Sequence, residues 1–249
     1  MRPALAPLLL VFTFSGSALG ITGKAPPATG DLARAIVMLT DSDGDLCTGT
    51  ALSRDVVLTA AHCLIGQRKR SVKLYQTGEV IPVGKIAQHP RFDAKAYAMS
   101  RATADVALVK LDKPLPDIIA PAEIAPARRV AVGETLTIAG FGVTTAGSAR
   151  GLGLPRSAKL TVTGKPGALQ IRLYDGATRN ARPGLGACTG DSGGPAYDGE
   201  GPLLIGVVSW TTGARDEEGC GGLTGLTPLL LYRAWIVERA RTLGSPIAP

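Results

Sequence analysis

The stretch Cys188-Thr189-Gly190-Asp191-Ser192-Gly193-Gly194-Pro195 sets a serine among glycines. A turn of this kind presents a hydroxyl on a tight loop and leaves neighbouring backbone N–H groups free to face a developing oxyanion. Gly190-Asp191-Ser192-Gly193-Gly194 also satisfies G-x-S-x-G, the nucleophile elbow of α/β-hydrolases. A glycine-rich turn with no chemistry would read the same way, so the stretch alone leaves the fold open.

The histidines narrow the choice. A serine nucleophile needs a general base, most often an imidazole. The chain has two histidines, His62 and His89, and both precede Ser192. An α/β-hydrolase carries its histidine after the serine, so that fold is excluded if the motif is active. His62 ends the apolar run Leu58-Thr59-Ala60-Ala61-His62-Cys63, beside a cysteine. His89, in Gln88-His89-Pro90-Arg91-Phe92, has no comparable setting, and His62 is the expected base.

Outward from these segments the chain reads as strand after strand. Short apolar or β-branched runs bounded by polar turns occupy 35–39, 56–60, 106–111, 135–138, 159–163, 169–173 and 203–208. Residues 112–130 form the expected connector, because Pro114, Pro116, Pro121 and Pro126 lack the N–H that a sheet interior needs. The convincing helix is at the end, Leu229 to Arg241, where Tyr232, Trp235, Ile236 and Ala240 share a face. Two β-rich halves, a connector and a closing helix suit a double β-barrel, although periodicity alone does not separate that from one sandwich.

The first 20 residues read as an export signal: Met1-Arg2 starts it, Leu8 to Phe14 is apolar, and small Ala18 and Gly20 precede a cleavage site. Export implies oxidising surroundings, which suit disulfides. The four cysteines, Cys47, Cys63, Cys188 and Cys220, allow three pairings, and a metal site is disfavoured by the lack of any C-x-x-C pair. Formal charge is +7. Arg68-Lys69-Arg70 is the densest basic cluster and reads as a solvated loop rather than a nucleic-acid patch.

Thr59-Ala60-Ala61-His62-Cys63, Asp105-Val106-Ala107-Leu108-Val109-Lys110-Leu111 and Cys188 to Pro195 resemble the signature segments of the chymotrypsin-like (trypsin-fold) serine proteases, in that family's order. Weaker echoes are Ala139-Gly140-Phe141-Gly142, Ser209-Trp210 and the region around Trp235.

The resemblance implies an all-β fold: two six-stranded antiparallel β-barrels with the active site between them, plus a C-terminal helix. It would span residues 21–243, leaving 244–249 as a tail. It implies a secreted serine endopeptidase with His62, Asp105 and Ser192 as catalytic triad and the N–H groups of Gly190 and Ser192 as oxyanion hole. Cys47 would pair with Cys63, and Cys188 with Cys220. Gly186, Ala187, Thr189, Ser209, Trp210, Thr211 and Gly225 would form the substrate pocket, Gly225 as a wall. With no carboxylate among them, cleavage after small or medium apolar residues is expected. Ile21 would begin the mature chain and pair its α-amino group with Asp191. The missing extra disulfides point to a bacterial branch. Polypeptide substrates are the expected partners; no nucleic acid, no membrane after signal removal, no cofactor and no metal are expected, and the protein should be a monomer. Two rivals are a trypsin-fold binding module without catalysis, at odds with a filled triad, and a quality-control protease with appended domains, for which nothing follows residue 243.

Overall fold

β1 (Ile36–Asp41), β2 (Leu46–Ala51), β3 (Val56–Thr59), β4 (Arg70–Lys73), β5 (Val80–Gln88) and β6 (Ala107–Leu111) close into a barrel in the order β1-β2-β3-β6-β5-β4. The computed structural model describes residues 21–126, 129–149, 151–199, 201 and 203–248; the expected signal lies outside them. After β7 (Glu123–Ile124), a second ring is formed by β8 (Thr135–Gly140), β9 (Arg156–Gly164), β10 (Ile171–Tyr174), β11 (Pro195–Asp198), β12 (Leu203–Thr211) and β13 (Thr224–Pro228). Its order is β11-β8-β9-β10-β13-β12, closed by β11 pairing with β12, with β7 parallel to the start of β12. Both rings are antiparallel, so each has lost its sheet edges.

The apolar runs are continuous because these strands are buried on both faces. Val37, Leu39, Val57 and Val109 point into the first barrel. Their neighbours Ile36, Met38, Leu58 and Leu108 point out, into a layer shared with Phe141, Tyr197, Val207, Tyr232 and Ile236. Leu136, Ile138, Leu160, Val162 and Leu226 fill the second barrel. The shared layer fixes one barrel against the other, and Ala60, Ala104 and Val106 at its margin are chain neighbours of His62 and Asp105.

Several local expectations change. Two short helices join the terminal one: α1 (Gly30–Ala35), which takes Ala35 from the first expected strand, and α2 (Ala94–Ala98). Neither is long enough to show a period; α2 is capped by the Asp93 side chain, which accepts from the N–H groups of Lys95 (2.9 Å) and Ala96 (3.0 Å). The expected C-terminal helix is broken at Tyr232: Leu229–Leu231 form a 3-10 turn and α3 spans Arg233–Thr242. Residues 244–248 are not a loose tail, since Ser245 bonds to Asp55 and Lys110 and Ile247 packs on the shared layer.

The Arg68-Lys69-Arg70 cluster is a solvated loop only in part: Arg68 and Lys69 are exposed, but Arg70 is buried at the start of β4. Arg68 lies among Asp41 (2.8 Å), Asp43 (3.0 Å) and Asp45 (2.6 Å) at the turn between β1 and β2. Arg70 is 5% exposed and donates to the carbonyls of Cys63 (3.2 Å), Ile65 (2.7 Å) and Arg68 (2.7 Å). It thereby satisfies the backbone of the loop that leaves His62. Arg70→Met should strand those carbonyls and destabilise the protein by about 2–3 kcal/mol. Denaturant unfolding checks this, and a midpoint equal to wild type would refute it.

Candidate active site

The register of the first barrel brings the acid and the imidazole together. Thr59 at the end of β3 pairs with Ala107 at the start of β6, so the residues following one and preceding the other run side by side. His62 stands on the 3-10 turn Ala61–Leu64, and Asp105 directly ahead of β6. Asp105 is 1% exposed. One of its oxygens accepts from the His62 backbone N–H (2.8 Å), the other from His62 Nδ1 (2.8 Å) and from Ser209 Oγ of β12 (2.5 Å). A carboxylate so held fixes the ring and directs Nδ1–H to itself, leaving Nε2 as the acceptor nitrogen.

Ser192 comes from the second barrel on a loop pressed onto the first. The Thr48 N–H donates to the Ser192 carbonyl (2.8 Å), and Thr48 Oγ1 to the Gly190 carbonyl (2.8 Å). Gly193, at φ +82°, packs so tightly that a β-carbon would sit 2.1 Å from Thr59 Oγ1, so no larger residue fits beside the serine. The backbone N–H groups of Gly193 and Gly194 are bonded to Val208 and Asp191 carbonyls. Among the described residues no acceptor takes the N–H of Gly190 or Ser192. Ser192 and His62 line one open cavity of about 570 Å³.

Disulfides join Cys47 to Cys63 and Cys188 to Cys220. The first ties β2 to the His62 turn, the second ties the serine loop to the segment before β13. Cys47, His62 and Cys63 lie close enough to hold a metal. Their sulfurs, however, bond to each other and are not thiolates.

Asp191 is a second buried acid. It accepts from the N–H of Gly142 (2.8 Å) and of Cys188 (2.9 Å), yet complete burial pushes its carboxyl up to about 7. Ile21 is likewise fully buried, in the second barrel's core with Ala187. Thr22 anchors that segment by donating its N–H to the Gly186 carbonyl (3.0 Å).

Of the expected pocket residues, Ala187, Thr189, Ser209, Trp210 and Thr211 line the cavity with His62 and Ser192. Gly186 does not; it backs onto Gly221, whose Cα would be 3.1 Å from an added β-carbon. Gly225 is not a pocket wall either. A register shift in β12 sets Trp210 opposite Gly225 and Thr211 opposite Thr224. The indole lies across Gly225, where a β-carbon would meet Cε2 at 1.9 Å. Thr224, which the sequence reading passed over, holds the position behind the pocket. It is fully buried and accepts from the Ala187 N–H (3.0 Å), while Thr211 Oγ1 donates to the Ala187 carbonyl (2.8 Å). Two threonines thus grip the backbone of one residue, Ala187, on either side of its Cα, and stitch the pocket walls together.

Tyr97 was also missed. Its ring stacks on His62, centroids 4.4 Å apart and planes 9° from parallel, and its hydroxyl donates to the Ser209 carbonyl (3.2 Å). Burial, with the Asp105 charge adding, raises the phenol above its ordinary range. An aromatic in a five-residue helix carries no sequence signal of this contact.

Two closed antiparallel barrels, with a histidine–carboxylate pair on one and a glycine-flanked serine on the other, define a chymotrypsin-type serine hydrolase. The family profile described as Trypsin matches residues 21–236, and the chain belongs to the trypsin family. It is similar to trypsin iota of Drosophila melanogaster (27% identical, 79% of each chain) and to snake venom serine proteinase 14 of Crotalus adamanteus (29%, 68% of each). Among solved structures it superposes on human heparin binding protein with a TM-score of 0.72 (21% identical, 91% of this chain, 100% of that one). A mouse brain protease, neuropsin, gives 0.70 (22%, 87% and 98%). The protein is therefore a serine endopeptidase that hydrolyses peptide bonds of polypeptides. These relatives are animal proteins and lend no support to a bacterial branch.

Proposed function

We propose that this is an exported endopeptidase working through an acyl-enzyme on Ser192, cleaving after small or medium apolar residues. The observation that carries the reading is the buried Asp105–His62 pair facing the same cavity as Ser192. Ser192 Oγ attacks the scissile carbonyl while its proton passes to His62 Nε2. The N–H groups of Gly190 and Ser192 receive the oxyanion, each such donor contributing about 2.7–4 kcal/mol to the transition state. Collapse expels the amine with the proton from His62. Water then attacks the ester, gives a proton to His62, and releases the acid as Ser192 regains its hydrogen. Asp105 stays ionised throughout, holding the imidazole and its positive charge.

Export is supported by the pattern of residues 1–20 and by the two disulfides. Among the described residues no helix is long and apolar enough to cross a membrane. The apolar preference rests on the Thr211–Ala187–Thr224 stitch, which sets uncharged side chains at the pocket and supplies no carboxylate for an Arg or Lys. Signal cleavage before Ile21 would free an α-amino group for Asp191, whose burial otherwise holds it near neutrality. Export would then activate the enzyme without a separate propeptide.

Three outcomes are expected. Ser192→Ala should fold and lower peptide hydrolysis by about 10⁶-fold, and it should no longer label with a fluorophosphonate; substantial turnover by the mutant would remove Ser192 from its role. Thr211→Gly should open the pocket and raise kcat/KM for Phe before the scissile bond relative to Ala by about tenfold or more, read with matched chromogenic peptides. A chain carrying one extra residue before Ile21 keeps an uncompensated Asp191. Because the folded carboxyl titrates near 7 against 3.8 for the free group, its native state holds the proton that its unfolded state has lost. Its stability should therefore fall as pH rises from about 4 to 7. The correctly processed chain should be spared that loss and be far more active. Thermal unfolding at pH 5 and pH 8 and peptide turnover test both, and equal activity of the two forms defeats the activation reading.

A further inference from the structure

The active-site cleft does not end at Trp210. Beyond it lies a cavity of about 500 Å³ whose lining includes Arg101, Arg172 and Asp216 as well as the indole. A second, of about 560 Å³, continues past Arg172 to Lys165 and Arg179. The first shares Tyr97, Ser209, Trp210 and Thr211 with the cavity of Ser192, and the two share Arg172, Asp216 and Leu223, so the three follow one another outward from Ser192.

Strand register makes this deliberate construction in the second barrel rather than scattered surface charge. Arg172 on β10 and Trp210 on β12 both pair with Gly225 of the intervening β13. Since Gly225 lacks a side chain, the indole lies flat across it and reaches the guanidinium, 5.8 Å from Arg172 Cζ to the ring centroid. Alternation along β10 buries Ile171 and Leu173 and turns Arg172 outward. The Arg101 guanidinium lies against the Met99 sulfur (3.8 Å) and its charge reaches the Asp93 carboxylate without pairing with it, and Lys165 Nζ donates to the Val130 carbonyl (2.8 Å). Among the described residues no carboxylate lies within ion-pair distance of Arg101, Arg172, Arg179 or Lys165. The one acid lining these cavities, Asp216, accepts from Asn180 Nδ2 (2.9 Å). Four cations and one carboxylate thus line the two cavities.

We infer that this platform selects substrates with acidic side chains on the acyl side of the scissile bond, Arg172 and Arg101 pairing with carboxylates a few residues before it. The side follows from the pocket: the residue preceding the bond enters between Ala187 and Thr211, so the chain beyond it runs over Trp210. A guanidinium stacked on an indole is pre-organised for a planar carboxylate. The inference rests on the reading of Ser192 and its pocket given above.

The test uses peptides with Ala before the scissile bond and Glu-Glu, Ala-Ala or Lys-Lys at the third and fourth positions before it. The Glu-Glu peptide should exceed Ala-Ala in kcat/KM by about three- to tenfold, the size a few exposed charge pairs give. The advantage should shrink as salt rises from about 20 mM to 500 mM. Arg172→Gln and Arg101→Gln should bring the Glu-Glu to Ala-Ala ratio toward one, a readout that loss of folded enzyme does not move. Equal rates, a Lys-Lys preference, or a ratio unchanged in both variants would overturn the inference. So would tight binding of a sulfated polysaccharide without any acidic-peptide preference. Fluorescence anisotropy with Ser192→Ala separates this from the catalytic reading. Tighter Glu-Glu than Ala-Ala binding with no peptide cleaved by wild type sinks only the catalytic reading, whereas cleavage without preference sinks only this one.

Discussion

A single buried carboxylate holds the two barrels in working register. Asp105 has both oxygens satisfied by donors it could not find on one barrel alone: the backbone and ring of His62 from the first, the hydroxyl of Ser209 from the second. Removing an ionised group from water costs several kcal/mol unless its hydrogen bonds are replaced. The barrels must therefore dock in the one arrangement that brings Ser209 to Asp105, and that arrangement also carries the Ser192 loop to His62. The apolar layer between the barrels supplies the attraction; the carboxylate supplies the specificity.

Asp191 is held differently. It too is wholly buried, but two backbone N–H groups are its donors and burial outweighs them. One acid takes its donors from side chains and backbone of both barrels, and the other from two backbone N–H groups alone. Both acids sit within the short segments around the site, so the same loops serve chemistry and docking.

The triad segments were legible because the order and spacing of His62, Asp105 and Ser192 do not depend on loop geometry. β1, β3, β6, β8 and β12 were legible because burial on both faces makes them nearly continuous apolar runs; β2, β11 and β13 are as deeply buried but were not, since threonine, glycine or proline breaks their runs. β4 and β5 were not: β4 opens with a buried arginine, and β5 carries Pro82, Gly84 and Lys85 on a largely exposed surface. Arg70 misled for a related reason, since a cation that saturates carbonyls in a buried turn looks like any surface charge in one dimension. The helices α1 and α2 are too short for periodicity, and only α2 carries a side-chain cap, from Asp93.

The pocket was the least legible part, and the cause is a register shift of one residue. Read as a string, Gly225 belongs in the pocket and Thr224 beside it; the irregularity in β12 between Val208 and Trp210 exchanges those roles. Gly225 then serves the indole and, through it, Arg172, while Thr224 closes the pocket from behind. One displaced pairing thus fixes two arrangements together: the packing of Thr211 and Thr224 about Ala187, and the reach of Trp210 toward Arg172. Separating them by mutation requires changing side chains, Thr211 for the one and Arg172 for the other, because any change at Gly225 moves both.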